Sequence, residues 1–190
     1  MLPPTEAPGI LARLRAETRP YHDALEQNDF NQALTAGTLS RAGTEQFLAD
    51  MYGFLQPYEV RLQSASLGPE WEVSRRLRAP LILQDLHRNP AAPGLPLCPD
   101  MPPLDTQAQL LGAMYVLEGS TLGGQVIARQ LAKAGIPART FFQGAGERTG
   151  PQWKLFCQLL TEAAPAAGPD ELVQSASLTF QKLYAWLNRP

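Results

Sequence analysis

Apolar residues recur along most of this chain at intervals of three and four, the spacing of one helix face. The clearest stripe is Phe47, Leu48, Met51, Phe54, Leu55, Tyr58 and Leu62, which predicts a long core-facing helix with Ser40 or Thr44 as its N-cap. Upstream, Ile10, Leu11, Leu14, Tyr21 and Leu25 fall near the same spacing. Pro20 lies among them and has two readings: it kinks this helix by removing one hydrogen bond, or it sits in the first turn of a helix restarted by Thr18. Either way, His22 is on helix just past a bend.

Beyond the long helix, SRRLRAPLILQDLHRN predicts another, with Pro80 as a possible break. Six of the 18 prolines then cluster in PAAPGLPLCPDMPP, residues 90–103, which is a loop. Asp105 or Thr106 caps a segment in which YVLEGSTLGGQVIARQLAKAG, residues 115–135, reads as one amphipathic helix. Two more helices, near 151–163 and 169–188, begin at Pro151 and Pro169, and the second carries the stripe Leu172, Val173, Ala176, Phe180, Leu183, Tyr184 and Leu187. The pattern predicts an irregular all-α bundle of about six to eight helices. It forms a single domain over 1–190, with residues 1–8 as a flexible tail.

Composition agrees with the pattern. There are 29 leucines and 25 alanines against nine valines and isoleucines, so helix formers far outweigh strand formers. The net charge of -2, from 16 basic and 18 acidic residues, gives no basic footprint for nucleic acid. Apolar runs are too short to span a membrane, and MLPPTEAPGI lacks the layout of a signal peptide. Cys98 and Cys157 are too few for a disulfide framework and have no metal-ligand spacing, which suits a reducing cytoplasm.

Three glycines interrupt the predicted helix at 115–135, each costing about 1 kcal/mol relative to alanine. On a helical wheel Gly112, Gly119 and Gly123 fall on one line, with Gly124 beside them and Ser120 close by, leaving a strip of bare backbone. Close helix packing and a ligand site both fit such a strip. The adjacent pair Gly123 and Gly124 points to a broad, flat ligand, since a single helix neighbour has no need of both. EGSTLGG matches neither GxGxxG nor the P-loop, so it is not a phosphate cradle.

Only two histidines are present, His22 and His87. His87 lies at a helix end leading into a loop and is assigned no role. Glu26 follows His22 by four residues, so on a helix its carboxylate can reach the imidazole and fix its tautomer; a surface helix pair has the same spacing. One protein nitrogen is too little for a tightly held zinc or di-iron site, but it suffices for haem, whose porphyrin supplies four more. Arg15, two turns before His22, and Lys154 are cations able to anchor the propionates of such a ligand, or else solvated surface charges.

These residues resemble the haem oxygenase family over most of the chain. LRAETRPYHDALEQNDF is similar to its proximal helix, YVLEGSTLGGQV to its distal helix, and FF at 141–142 followed by WKLF to the region that supplies a propionate-binding lysine. The resemblance implies that haem lies between the two helices as substrate and cofactor. His22 would be the iron ligand and Glu26 its hydrogen-bond partner. Gly119, Ser120, Gly123 and Gly124 would contact the opposite face, and Arg15 and Lys154 the propionates.

It further implies oxidative opening of haem to biliverdin, with release of iron and carbon monoxide, using O2 and an external electron donor. Bacterial members with this spelling include some that supply bilin to phytochromes. Two departures are visible: Ser120 stands where many members carry an aspartate, and Gln158 where a basic residue is common. A serine can hold a water but offers no carboxylate, so a non-enzymatic haem carrier or haem-regulated interaction module is the competing reading. A thiamine-salvage enzyme or a di-iron oxidase on a related bundle is disfavoured by the missing cysteine motif and the shortage of histidines.

Overall fold

The computed structural model describes residues 9–91 and 94–189, so the expected tail at 1–8 lies outside the described residues. Nine α-helices occur among them, with no strand: α1 (Ile10–Leu25), α2 (Asp29–Ala36), α3 (Arg41–Ser64), α4 (Ala79–Asp85), α5 (Gln107–Gly119), α6 (Gly124–Lys133), α7 (Thr140–Gln143), α8 (Thr149–Ala167) and α9 (Pro169–Leu187). The count exceeds the expected six to eight because the helix expected at 115–135 is split into α5 and α6, and because α2 and α7, of eight and four residues, are too short for a three-to-four stripe to develop.

Local chemistry accounts for the boundaries. Ser40 caps α3 by accepting the Gly43 N–H, and Thr106 caps α5 in a reciprocal capping box with Gln109. Pro80 opens α4 within its first turn instead of breaking a longer helix. α8 starts two residues before Pro151, which sits in its first turn. α1 runs unbroken through Pro20, and the Thr18 hydroxyl donates to the Leu14 carbonyl 2.7 Å away, so Thr18 caps no restart.

The expected single helix at 115–135 is three pieces: α5, a 3-10 turn over Ser120–Gly123, and α6. Because a 3-10 turn has about three residues per turn, its four residues add roughly 80° to a wheel drawn at 100° per residue. The strip of glycines therefore does not stay on one line.

α5 packs along α9, and α1 packs on α9 from another side. Gly112 permits the first of these contacts, since a Cβ there would stand 2.8 Å from the Ala176 nitrogen. α3 brings Leu48, Phe54, Leu55 and Leu62 into the same core, where all are fully buried.

Two buried carboxylates tie the short helices in place. From α3, the Glu59 carboxylate accepts the backbone N–H groups of Arg78 at 2.6 Å and Ala79 at 3.0 Å, satisfying the start of α4. From the end of α4, Asp85 accepts those of Thr140 at 3.0 Å and Phe141 at 2.9 Å, satisfying the start of α7. The carbonyl of Phe142 on α7 then lies where a side chain of Gly124 would stand. A chain of caps thus fixes the bend between α5 and α6 relative to α3.

Candidate functional site

A cavity of about 650 Å³ opens between α1 and the α5–α6 bend, a volume typical of small-molecule sites. Its walls bring together His22, Glu26 and Arg15 from α1 with Gly119, Ser120, Gly123 and Gly124 from the bend. Met51, Phe141, Trp153 and Phe180 make much of the remainder apolar. A second cavity of about 530 Å³ beside α2 and α3 includes Asp50 and Arg189, which pair with each other at 2.5 Å, and contains no histidine.

On the α1 wall, His22 Nδ1 lies 3.7 Å from Glu26 Oε1 and 3.8 Å from Asp23 Oδ1. Both distances exceed hydrogen-bond range but place two carboxylates on the Nδ1 side. That arrangement favours a proton on Nδ1, which leaves the Nε2 lone pair able to coordinate a metal. The ring meets Phe180 edge-on, with centroids 5.7 Å apart, while the side chain remains 53% exposed.

The opposite wall is built from missing side chains. Around Gly123 nothing stands within 4 Å of where a Cβ would be, and at Gly119 the nearest atom is a Trp153 ring carbon at 3.5 Å. These two glycines open the cavity. Gly124 also lines it, but its lack of a side chain is explained by the Phe142 carbonyl, and Gly112 lies outside it, against α9. Packing therefore accounts for Gly112 and Gly124, while Gly119 and Gly123 face cavity space.

Polar groups in and behind this wall hold the 3-10 turn. The Ser120 hydroxyl donates to the Leu117 carbonyl at 2.7 Å and the Thr121 hydroxyl to the Glu118 carbonyl at 2.6 Å. Arg78 Nη2 donates to the same Leu117 carbonyl at 2.7 Å and to Ser120 Oγ at 3.3 Å, and its guanidinium carbon sits 5.2 Å from the centre of the Phe141 ring. Arg76 and Glu118 form a buried ion pair at 2.7 Å.

Burial pushes the Glu59 carboxyl above the ordinary carboxylate range, against the two backbone bonds it accepts. Burial also raises Tyr58 well above its usual value, and its hydroxyl has no hydrogen-bond partner among the described residues. Tyr115, on the cavity wall, is raised by burial with Arg15 acting in the opposite sense.

Lys154 is not brought to the cavity. It is exposed on α8, and the adjacent Trp153 takes the place in the wall, because consecutive helical residues point about 100° apart. Arg15 does reach the wall, and Arg19, one turn further along α1, joins it there. Sequence reasoning passed over Arg78, Arg76, Glu118 and Glu59. Arg78 and Ser120 are 42 positions apart, and no periodicity links them. Trp153 was within reach of inspection, as an aromatic beside the lysine that drew attention.

No family model matches the chain. Solved structures resemble it along nearly its whole length. The heme oxygenase of Leptospira interrogans superposes with a TM-score of 0.78 at 16% identity, covering 96% of this chain and all of that one. For heme oxygenase-1 of Synechocystis sp. PCC6803 in complex with heme, the TM-score is 0.75 at 14% identity, with 95% and 91% covered. The NO- and CO-bound heme oxygenase of Neisseria meningitidis gives 0.73 at 20% identity, with 95% and 91% covered. The all-α bundle thus has the fold of these heme oxygenases.

In sequence, a heme oxygenase of Xanthomonas campestris pv. campestris (strain 8004) is 29% identical over 143 residues, which span 72% of this chain and 82% of that protein. The chain is thus similar in sequence to one heme oxygenase and in fold to several.

Proposed function

We propose that this protein is a haem oxygenase that opens haem to biliverdin, releasing iron and carbon monoxide. The observation that carries the reading is the pairing of His22, with Nε2 free, and the side-chain-free wall at Gly119 and Gly123 across one apolar cavity. A flat tetrapyrrole fits this arrangement: His22 would hold its iron, the bare backbone at Gly119 and Gly123 would lie against it, and the cations Arg15 and Arg19 in the wall would hold its propionates. Haem is the substrate, and when bound it supplies both the iron at which O2 is activated and the carbon bridge that is cut.

The protein's own residues bind, orient and exclude water. His22 ligates through Nε2, while Glu26 and Asp23 on the Nδ1 side hold the ring's tautomer. Gly119 and Gly123 allow the distal backbone to approach the ring plane, and any side chain at Gly123 would enter the space assigned to the ligand. Gly124 keeps that backbone seated on α7. Ser120 has its proton committed to the Leu117 carbonyl and offers a lone pair, so it accepts a hydrogen bond from water instead of donating one. Trp153, Phe141 and Met51 keep the remaining space apolar. Arg15 with Arg19, in place of the expected Lys154, fixes the rotation of the ring and hence the bridge that is cut.

The reaction draws on O2 and an external electron donor, with a bilin acceptor such as a bacterial phytochrome as a downstream partner. No helix among the described residues is long and apolar enough to cross a membrane, and a cytoplasmic setting suits the two free cysteines. Mixing the purified protein with hemin and adding reductant in air tests the reading: steady formation of a green bilin is expected. Stable haem binding without bilin formation would show a carrier instead.

A further inference from the structure

We infer that Arg78 is the cationic hydrogen-bond donor of the distal wall and holds a small anionic ligand over the iron, a role that rests on the haem reading above. The turn itself is short of donors: the Ser120 and Thr121 hydroxyl protons are both spent on backbone carbonyls. Arg78 is not. Its Nη2 is engaged twice, with the Leu117 carbonyl and Ser120 Oγ, while Nε and Nη1 have no acceptor among the described residues. Arg78 forms part of the cavity wall.

Arg76, two residues earlier, is neutralised by Glu118 at 2.7 Å, but among the described residues no carboxylate forms an ion pair with the Arg78 guanidinium. The carboxylate nearest to it in the chain of caps, Glu59, accepts the backbone N–H of Arg78 and not its side chain. The group is held from three directions, by that backbone bond, by Leu117 and by the Phe141 ring, so it is ordered before any ligand arrives. Glu59 feels the charge of Arg78 but does not bond its guanidinium, and a fixed cation with free N–H groups in a largely apolar wall attracts an anion more strongly than the same group in water.

Fluoride binding to the ferric haem complex tests this, read from the absorption spectrum. Arg78→Gln is expected to weaken fluoride binding about tenfold, the scale of one charge-assisted hydrogen bond. Arg78→Lys, which keeps the charge and perturbs the turn less, is expected to stay within about threefold of the parent protein. Fluoride affinity unchanged in Arg78→Gln, or as weak in Arg78→Lys as in Arg78→Gln, would overturn the inference while leaving histidine-ligated haem intact. If hemin gave the same spectrum in the parent protein and in His22→Ala, the haem reading would fall and this inference with it.

Discussion

The two walls of the cavity are built on opposite principles. On the α1 side an uninterrupted helix carries its proline without breaking and presents the proposed ligand His22, whose side chain is half exposed. On the other side the helix is broken, its useful positions have no side chain, and its shape depends on hydrogen bonds from Arg78, Ser120 and Thr121 and on the cap that Asp85 provides to α7. In the proposed function, chemistry on the first wall rests on a group that is present, and on the second on groups that are absent. Substitutions should therefore separate binding from stability on the first wall and couple them on the second.

The largest expected effect is on the α1 wall. His22→Ala should abolish bilin formation and sharply weaken hemin binding, yet leave the urea midpoint of the ligand-free protein within about 0.5 kcal/mol of the parent, as expected for an exposed position. A large loss of stability in that variant would erase the contrast between the walls.

Next come the paired glycines. Gly124→Ala drives a methyl into the Phe142 carbonyl and should cost roughly 1–3 kcal/mol of stability, even without haem. Gly123→Ala meets open space at φ -78°, so it should stabilise the ligand-free protein by about 0.5–1 kcal/mol while weakening hemin binding. Thermal unfolding of the two variants, with and without hemin, measures both; equal behaviour would mean that the packing and cavity glycines are not distinct.

The smallest effect concerns the anchoring chain. Burial raises the Glu59 carboxyl, so the folded protein holds its proton more tightly than the unfolded chain does. The stability this supplies is fully present below the unfolded carboxyl's range and is lost as pH rises through the higher folded value. Glu59→Gln should cost about 1 kcal/mol at low pH through a weaker cap on α4, and the deficit should shrink as pH rises through that window. Urea midpoints at pH 4 and pH 7 check the sign; a deficit that widens with pH would place the carboxyl on the other side of its ordinary range.

Much of the long-range architecture was legible because it is written in local periodicity. The stripe on α3, the Ser40 and Thr106 caps and the proline-opened α9 each depend on residues within a few positions of one another. The position of His22 on a helix followed from either reading of Pro20, and its shared cavity with the bend rests on the tertiary structure. What stayed hidden is what one helix cannot report about its neighbours. A wheel shows Gly112, Gly119, Gly123 and Gly124 as one kind of position, whereas α9 and α7 claim Gly112 and Gly124 and the cavity takes the other two. Lys154 and Trp153 are adjacent in sequence, and only the docking of α8 decides which faces inward. Arg78 reaches Ser120 across a separation that local pattern does not cover.

A crystal structure of the protein grown with hemin bears most directly on the central claim. The account predicts iron bound to His22 Nε2 and the opposite face of the tetrapyrrole against the backbone of Gly119 and Gly123. Hemin bound elsewhere, or His22 turned out to solvent beside it, would contradict it.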